Sequence, residues 1–347
     1  MELIPTFIGD EAFRPKVRAC IKGYLDISDN YSLSIGLYKE GRIFVYSNSE
    51  DVFSLQYDIG SVSKTVTAHL MLYLAEKGLV ELDKEVCCYI DLPRGSYPTV
   101  YELLTHTAGY HNLTPIEITL PSLLSHGYAR KNIYEDCTSK KVVQCLKKRQ
   151  RVENAGYGYS DFAYAVLAVV AENVSGCRFS ELFEDFIKNE LSMKNTVIIA
   201  DPKKRTPPAA DRGRIYNFWN WNANNPYVAG GGLVSNLADI MSYLSLQITS
   251  NEKYITDAHK LCWASLSPNS NIATCVGWHT YKNSNQLWHV GGVGTFRSSV
   301  IFNKKRQMAV AVLGNAKGVA SANVHYLAKM LYSEMKINKI KFYKVKE

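Results

Sequence analysis

Long apolar runs are missing from this 347-residue chain. No stretch of about 18 consecutive apolar residues occurs, so the sequence predicts no membrane-spanning helix. Residues 1–5 provide neither a basic n-region nor an apolar h-region, so no signal peptide is predicted. These absences favour a cytoplasmic protein, and an exported protein trimmed of its leader is the alternative.

Cysteine spacing of the metal-binding type is also missing. None of the eight cysteines stands in a Cys-x-x-Cys pair or in a cluster with histidine, which argues against a zinc site and against a disulfide framework. Free thiols in a reducing compartment fit better, and neither a metal nor an organic cofactor is expected. The cysteines are Cys20, Cys87, Cys88, Cys137, Cys145, Cys177, Cys262 and Cys275.

The charge of the chain is moderate. The net charge is +8 and charged residues make up 21% of the sequence, which is ordinary for a globular protein. Basic residues concentrate at 140–151 and 203–214, either as two solvated surfaces or as a means of attracting anionic substrates. No nucleic-acid-binding motif accompanies them, so no nucleic-acid partner is expected.

The most informative segment places a hydroxyl and an amine three residues apart, at Ser61 and Lys64. At the start of a helix these side chains lie on neighbouring turns of one face. A buried amine there can give up its proton and act as a base toward the hydroxyl, which makes a serine nucleophile without a histidine. An ordinary helix start with a snorkelling lysine is the competing interpretation, and the local sequence favours neither.

Other Ser-x-x-Lys matches differ from this one in context. Ser250–Lys253 lies in a polar turn, and Ser333–Lys336 lies near the C-terminal end among charged neighbours. Only Ser61 follows a glycine and opens a long apolar helix, which the Lys77-Gly78 pair is predicted to end. That helix is apolar on most faces and is predicted to be buried nearly all round.

Several blocks, in order along the chain, resemble the penicillin-recognising serine hydrolases: class C β-lactamases, D-Ala-D-Ala carboxypeptidases and family VIII esterases. The blocks are residues 57–92, which contain the Ile-Gly-Ser-Val-Ser-Lys motif, residues 103–109 and residues 229–239. The similarity extends from about residue 30 to about residue 315. The resemblance implies that Ser61 is an acylated nucleophile and that Lys64 is its general base.

This family also needs a tyrosine with a polar partner two residues on, and Tyr159 with Asp161 is the candidate. Similar triplets occur elsewhere, including one at Tyr134, but only Tyr159 precedes an apolar helix, which opens at Phe162 and is predicted to end near Gly176. A tyrosine that only caps this helix is the structural alternative. The family pattern usually has Asn where Asp161 stands, so the site gains a potential negative charge.

A Lys-Thr-Gly or His-Thr-Gly triplet on a strand is the last family element, and residues His289, Val290, Gly291 and Gly292 match it. Glycines there let substrate approach the backbone closely. The resemblance implies an oxyanion hole from the backbone N–H groups of Ser61 and Gly292, with substrate contacts from His289 and Gly291. Histidine is largely uncharged at neutral pH and anchors a carboxylate weakly, and acidification toward roughly pH 6 should protonate it.

Substrate recognition rests on weaker signals. Asp161 is expected to contact the substrate. Arg297 either binds a substrate carboxylate bidentately or is a surface arginine. The aromatic run at 216–221 is either a wall over the cleft or a packed loop, and the packed loop is slightly favoured. The histidines other than His289 are taken as structural, including His279 and His106, with His106 packed near the site.

Strand patterns lie toward both ends of the chain, and helix patterns lie between them. Alternating segments predict one hairpin near each end. The predicted hairpin strands are 31–37 with 43–46 and 299–302 with 308–313, and terminal helices are predicted at 11–26 and 320–336.

These patterns predict an α+β fold of the β-lactamase/transpeptidase type. An antiparallel sheet is built from both termini with flanking helices, and a mainly helical subdomain is inserted. One catalytic domain spans 1–347, with one subdomain at approximately 1–64 plus 250–347 and another at 65–249. The site is expected between the two subdomains.

The function predicted is that of a serine hydrolase acting through a Ser61 acyl-enzyme, with Lys64 and Tyr159 as the general base. The favoured reaction is cleavage of an amide in a D-amino-acid peptide or β-lactam. The alternatives are an esterase or acyltransferase on small acyl groups, and a non-catalytic penicillin-binding or sensing module. A small molecule or short peptide is the expected partner, and the oligomeric state is left open.

Overall fold

Strands toward both ends of the chain and helices through its middle make up the fold in the computed structural model. The structure describes residues 5–27, 31–110, 114–120, 132–152, 155–201, 203–208, 218–263, 271–316, 319–337 and 339–340. The strands are β1 (Pro5–Phe7), β2 (Leu33–Lys39), β3 (Arg42–Ser47), β4 (Tyr57–Asp58), β5 (Val234–Ser235), β6 (Leu261–Trp263), β7 (Ile272–Cys275), β8 (Trp278–Tyr281), β9 (Leu287–Val293), β10 (Phe296–Asn303) and β11 (Met308–Asn315). The α-helices are α1 (Pro15–Leu25), α2 (Ser63–Glu76), α3 (Val100–Leu104), α4 (Ser139–Leu146), α5 (Asp161–Ser175), α6 (Phe179–Asn189), α7 (Val228–Gly231), α8 (Leu237–Thr249), α9 (Lys253–Thr256) and α10 (Val319–Lys336).

One large sheet joins strands from the two ends of the chain. Across the described ranges its order is β1-β3-β2-β11-β10-β9-β8-β7-β6, so N-terminal β2 lies beside C-terminal β11. The predicted sheet built from both termini is therefore confirmed. Its strand pairs are antiparallel except that β1 runs parallel to β3. A parallel pair needs a long crossover, which α1 helps to supply between β1 and the β2–β3 hairpin.

Both predicted hairpins are present. The β2–β3 turn places Glu40 at φ 49° and Gly41 at φ 82°. Two successive positive φ values are typical of the two-residue turns whose twist matches that of paired strands. The second hairpin pairs β10 with β11 from Phe296 opposite Asn315 to Asn303 opposite Met308.

Helices cover both faces of this sheet. On one face, α1 and α10 bury residues such as Val17 and Leu327 against the strands. On the other face, α2, α5 and α8 bury residues such as Val66, Leu167 and Ile240. The sheet is therefore the middle of three layers, and the catalytic candidates lie on the side of α2 and α5.

The two helices that carry the candidate motifs end where the sequence predicts. Gly78 follows α2 at φ 74°, and Gly176 caps α5 at φ 70°. Residues 63–72 of α2 are all buried, as predicted from their composition. No single described helix is long and apolar enough to span a membrane, and α5 with α6 fits the length only as a pair bent by 88°.

Strand β9 has one edge that is only partly paired. It pairs with β10 from Leu287 to Val293, but with β8 only through Leu287 and Trp288. The edge from His289 onward therefore has no strand partner among the described residues. It lies against the 3₁₀ turn Gly60–Val62 that precedes α2, and this contact positions the site.

Candidate active site

Ser61 and Lys64 come together at the start of α2. Ser61 lies in the 3₁₀ turn and α2 continues from Ser63, so the two side chains share a face. Lys64 Nζ is 3.3 Å from Ser61 Oγ. Ser61 is partly exposed, whereas the Lys64 side chain is 0% exposed. The snorkelling interpretation is therefore wrong, because this lysine keeps its amine buried beside the hydroxyl.

The Lys64 amine has three acceptors around it. Besides Ser61 Oγ, it donates to Asp161 Oδ1 at 2.6 Å and to the Gly230 carbonyl oxygen at 2.5 Å. Burial lowers the pKa of Lys64, and the charge of Asp161 opposes this decrease. An ammonium can donate to all three acceptors. After it loses the proton nearest Ser61 Oγ, the neutral amine still satisfies the carboxylate and the carbonyl with two N–H bonds, and its lone pair can accept the Ser61 proton.

Glycine at position 60 allows β9 to approach the Gly60–Val62 turn that carries Ser61. Gly60 has φ 51°, and a Cβ there would lie 2.6 Å from the Gly292 nitrogen. Both the left-handed conformation and the close approach require glycine. The main-chain nitrogen of Gly292 thus lies against the turn that carries Ser61, where an oxyanion hole needs a donor.

Tyr159 lies next to both members of this pair. Its hydroxyl is hydrogen-bonded to the Ser61 side chain, and Lys64 Nζ is 4.9 Å from its ring centre. Burial, helped by the charge of Asp161, raises the pKa of Tyr159 well above its ordinary value. The phenol therefore stays protonated at neutral pH and can act as a hydrogen-bond donor beside Ser61.

Asp161 is bound by two protein side chains. It stands in the first turn of α5, where Oδ1 accepts from Lys64 and Oδ2 accepts from the Tyr134 hydroxyl at 3.0 Å. Its side chain is 16% exposed, although that of Lys64 is 0% exposed. Burial and the charge of Asp161 raise the pKa of Tyr134, so this phenol remains a donor.

Tyr134 and Gly230 are site residues that sequence reasoning missed. Gly230 lies within a family-like block, which was a usable signal for its position but not for its carbonyl. Tyr134 belongs to one of several similar Tyr-x-Asp triplets, and no local pattern links it to Asp161. Only the folded chain brings this hydroxyl to that carboxylate.

His289 lies on β9 and is 2% exposed. Its Nδ1 donates to the carbonyl oxygen of Val290 at 2.8 Å, and its ring stacks on that of His279 with centres 5.1 Å apart. Burial holds the pKa of His289 well below its usual value, and His279 and Lys64 add to the decrease. The expectation that pH 6 protonates His289 is therefore wrong, because the ring is buried beside other bases.

Gly291 is packed rather than open. A Cβ at this position would overlap the carbonyl oxygen of Ile59 and the hydroxyl of Ser298, which itself donates to Ile59 at 2.7 Å. Gly291 is therefore placed for close contact between β9 and the Gly60–Val62 turn that carries Ser61, and its substrate contact stays a prediction. The neighbouring Gly292 is the exposed residue of the pair.

His106 lies close to the tyrosine side of the site. Its Nδ1 accepts from the Ser160 main-chain nitrogen at 3.2 Å, and its ring centre is 4.5 Å from that of Tyr159. Burial holds the pKa of His106 well below its ordinary value. A neutral ring with this acceptor role supports the backbone at Tyr159, in keeping with the structural role predicted for it.

Comparison with known families decides the relationship of the chain. The sequence model of the Beta-lactamase family matches residues 17–332. The chain belongs to the β-lactamase family. Its β-lactamase-family fold is that of serine hydrolases, as the resemblance implied.

Relatives of this β-lactamase-family chain are distant. Protein flp of Staphylococcus aureus (strain MW2) is 22% identical over 328 residues, which are 86% of this chain and 61% of flp. The chain thus spans about three fifths of the length of such curated relatives.

Solved structures give the same fold. The octameric penicillin-binding protein homologue from Pyrococcus abyssi superposes with a TM-score of 0.75 at 20% identity, covering 95% of this chain and 78% of its own. The β-lactamase/D-alanine carboxypeptidase from Pseudomonas syringae superposes with a TM-score of 0.73 at 15% identity, covering 91% and 97%. At these identities the likeness establishes the β-lactamase/transpeptidase-like fold alone.

Arg297 lies on the other face of β9 from His289. In the register of the sheet it stands opposite Gly292 on β9 and Gly314 on β11, and it interacts with Tyr24 of α1. Its Nη1 donates to the carbonyl oxygens of residues 294 and 296 at 3.0 and 2.6 Å. The β-lactamase-family site therefore does not combine His289 and Arg297 in one anchor, although the guanidinium borders Gly292.

The aromatic run extends from the helical side of the site to the end of β9. Trp219 packs edge-on to Tyr134 with ring centres 6.0 Å apart, and its indole lies beside Gly294. Tyr134 stacks on Tyr227 at 4.4 Å. The favoured packed-loop interpretation suits these contacts, and residues 216 and 217 of the run lie outside the described residues.

Metal ligands and cysteines contribute nothing further to the site. Among the residues that the structure describes, no group of three His, Cys, Asp or Glu side chains is placed to hold a metal ion. Among the cysteines that the structure covers, Cys20, Cys87, Cys88, Cys137, Cys145 and Cys177 are free thiols.

Proposed function

We propose that this chain is a serine hydrolase that forms an acyl-enzyme at Ser61. The observation that carries the proposal is the fully buried Lys64 side chain, whose amine is 3.3 Å from the hydroxyl of Ser61, a partly exposed residue. A buried amine with a lowered pKa is a suitable acceptor for a serine proton. An exposed lysine would stay protonated and could not do this.

The reaction begins with attack of Ser61 Oγ on a substrate carbonyl while Lys64 accepts the proton. The developing oxyanion receives hydrogen bonds from the main-chain nitrogens of Ser61 and Gly292, which the contact between Gly60 and Gly292 brings close. Tyr159 is a protonated phenol that is hydrogen-bonded to Ser61. It gives a proton to the leaving group and is reprotonated from Lys64. Water or another acceptor then releases the acyl group.

The substrate proposed first is an amide of a D-amino-acid peptide or a β-lactam. The β-lactamase/D-alanine carboxypeptidase among the structural neighbours supports this class.

Hydrolysis or transfer of small ester-linked acyl groups is the second candidate. The observation in its favour is His289, which stays uncharged and donates a hydrogen bond from Nδ1 to the Val290 carbonyl oxygen. A neutral acceptor at this position gives no charge attraction to a substrate carboxylate. A non-catalytic binding module is disfavoured because Ser61, Lys64 and Tyr159 are all in contact.

Two probes separate these functions. Intact-mass spectrometry after addition of a fluorescent penicillin detects an adduct at Ser61, and a p-nitrophenyl ester assay detects turnover. Ser61→Ala should remove both signals, while Ser250→Ala, which changes an unrelated Ser-x-x-Lys serine, should keep both. A stable adduct without any turnover would indicate the binding module, and full labelling of Ser61→Ala would exclude the mechanism.

A further inference from the structure

The Lys64–Asp161 pair is exposed on one side only. Lys64 is 0% exposed and Asp161 is 16% exposed, so solvent and substrate meet the carboxylate and not the ammonium. The distances from Lys64 Nζ to Ser61 Oγ, 3.3 Å, and to Asp161 Oδ1, 2.6 Å, place this carboxylate within about 6 Å of the nucleophile. A negative group thus borders the position of the reacting carbonyl.

The Asp161 carboxylate has acceptor capacity left. An ionised carboxylate offers about four acceptor positions, and here Lys64 takes one and the Tyr134 hydroxyl takes another. The residue stands in the first turn of α5, where the helix N-terminus stabilises negative charge. A further donor can therefore bind without breaking either existing hydrogen bond.

The groups near Asp161, and His289 on β9, also suit a substrate group that donates hydrogen bonds or carries a positive charge. Tyr134 holds Asp161, and the half-buried indole of Trp219 packs against Tyr134. Aromatic faces attract cations, and indole does so best. Neutral His289 donates from Nδ1 and so presents Nε2 only as an acceptor. The guanidinium of Arg297 lies on the opposite face of β9.

We propose that Asp161 binds a protonated amine on the acyl part of the substrate, so that the substrates are aminoacyl amides or esters with a free amino group. An α-amine lies two bonds, roughly 2.5 Å, from the carbonyl carbon that Ser61 attacks. It can therefore reach the partly exposed Asp161 carboxylate while the carbonyl lies at Ser61. The inference rests on the proposed acyl-enzyme at Ser61.

Binding of an ammonium at Asp161 would also activate Lys64. The carboxylate is the charge that keeps the lysine pKa from falling further, and a second cation beside it shares that charge and repels the Lys64 proton. The base would therefore lose its proton when a matching substrate is bound. An acyl group without an amine would leave Lys64 paired with Asp161.

The test compares D-alanine p-nitroanilide with its N-acetyl counterpart, and the two methyl esters as a second pair. At pH 7 the free amine is mostly protonated, since an α-amino group has a pKa near 8. We expect kcat/KM to favour the free amine by at least about tenfold in the unmodified protein, a ratio typical of one charge-assisted contact. Asp161→Asn, which keeps the shape, should bring this ratio close to one. Asp185→Asn, the same change at an exposed site on α6, should leave the ratio unchanged.

Failure of the amine site at Asp161 and failure of the Ser61 hydrolase give different results. Equal or reversed preference with turnover that depends on Ser61, or an Asp161→Asn protein that keeps the preference, would refute the amine site and leave the hydrolase intact. Loss of Ser61-dependent turnover and labelling altogether would refute the proposed function. In that case, or if Asp161→Asn fails to fold, calorimetry with D-alaninamide and N-acetyl-D-alaninamide on the unmodified protein decides. Tighter binding of the free amine is expected, and equal or absent binding overturns the inference.

Discussion

Lys64 Nζ lies 2.6 Å from Asp161 Oδ1, although the two residues are 97 positions apart in the sequence. The ammonium is fully buried while the carboxylate is partly exposed. Burial favours a neutral amine, and a neighbouring carboxylate favours a charged one. Asp161 therefore limits how far burial lowers the pKa of the proposed base, and the protonation of Lys64 responds to whatever binds the carboxylate.

Replacement of the base should abolish proton transfer without removing charge. In Lys64→Arg the guanidinium stays protonated at working pH, so kcat for p-nitrophenyl acetate should fall by roughly a hundredfold or more. Lys336→Arg makes the same change at an exposed position of another Ser-x-x-Lys match and should keep normal turnover. Near-normal turnover in Lys64→Arg would mean that Lys64 is structural and that another group accepts the proton.

Removal of the Asp161 charge should shift the acidic limb of the pH profile. Asp161→Asn takes away the contribution that raises the pKa of Lys64, so this pKa should fall and the base should persist to lower pH. The measurement is kcat/KM against pH for a neutral ester, and the acidic limb should move to lower pH. Asp185→Asn serves as the control.

Tyr134→Phe should move the acidic limb of kcat/KM for the neutral ester less than Asp161→Asn does. It removes one hydrogen bond to Asp161 and leaves the carboxylate charge in place. An unmoved limb in Asp161→Asn, or a limb moved to higher pH, would contradict this account of the pair.

The contribution of Arg297 should depend on substrate charge. If a substrate carboxylate reaches the guanidinium beside Gly292, Arg297→Ala should lower kcat/KM for the acid by about tenfold or more and barely change it for the matching methyl ester. Acidification toward roughly pH 6 should not rescue the acid, because burial keeps His289 neutral. Arg306→Ala, at an exposed turn, is the matched control. Equal losses on both substrates would remove Arg297 from substrate binding and favour the ester reaction.

Acid should destabilise the fold through a second histidine pair, His69 and His259, away from Ser61. His69 Nδ1 is hydrogen-bonded to the Tyr254 carbonyl oxygen at 3.0 Å. The Nε2 atoms of His69 and His259 lie 3.0 and 2.8 Å from the side-chain amide of Gln247. Burial lowers the pKa of His69 to about 4 and that of His259 to about 3.

The unfolded chain takes up these protons at an ordinary histidine pKa of about 6.5, earlier than the folded chain does. The stabilisation from His69 is therefore fully present above about pH 6.5 and is lost as the pH falls toward 4, by about 3 kcal/mol in total. Urea unfolding at pH 7 and pH 4.5 measures this loss. His69→Gln should lose clearly less stability between the two pH values than the unmodified protein, and an equal loss would show that His69 does not titrate on unfolding.

Local signals in the sequence were sufficient for the elements that carry the motifs. Apolar composition and the glycines at 78 and 176 predicted the ends of α2 and α5, because a helix end depends on a few neighbouring residues. Alternation predicted both hairpins. The spacing of Ser61 and Lys64 predicted their contact, since three residues along a helix already bring side chains onto one face.

Tertiary structure alone decided which distant groups meet these residues. Tyr134, Asp161 and the Gly230 carbonyl reach the Lys64 pair by chain folding over long sequence separations, for which no local pattern exists. The face on which Arg297 lies depends on strand register, because successive side chains of a strand point to opposite sides. The charge state of His289 depends on burial beside His279 and Lys64, which the residue type alone does not specify. The sequence by itself therefore determined the family-like Ser61–Lys64 motif and the helices around it. The electrostatics around that pair, and hence its substrate preference, follow from packing.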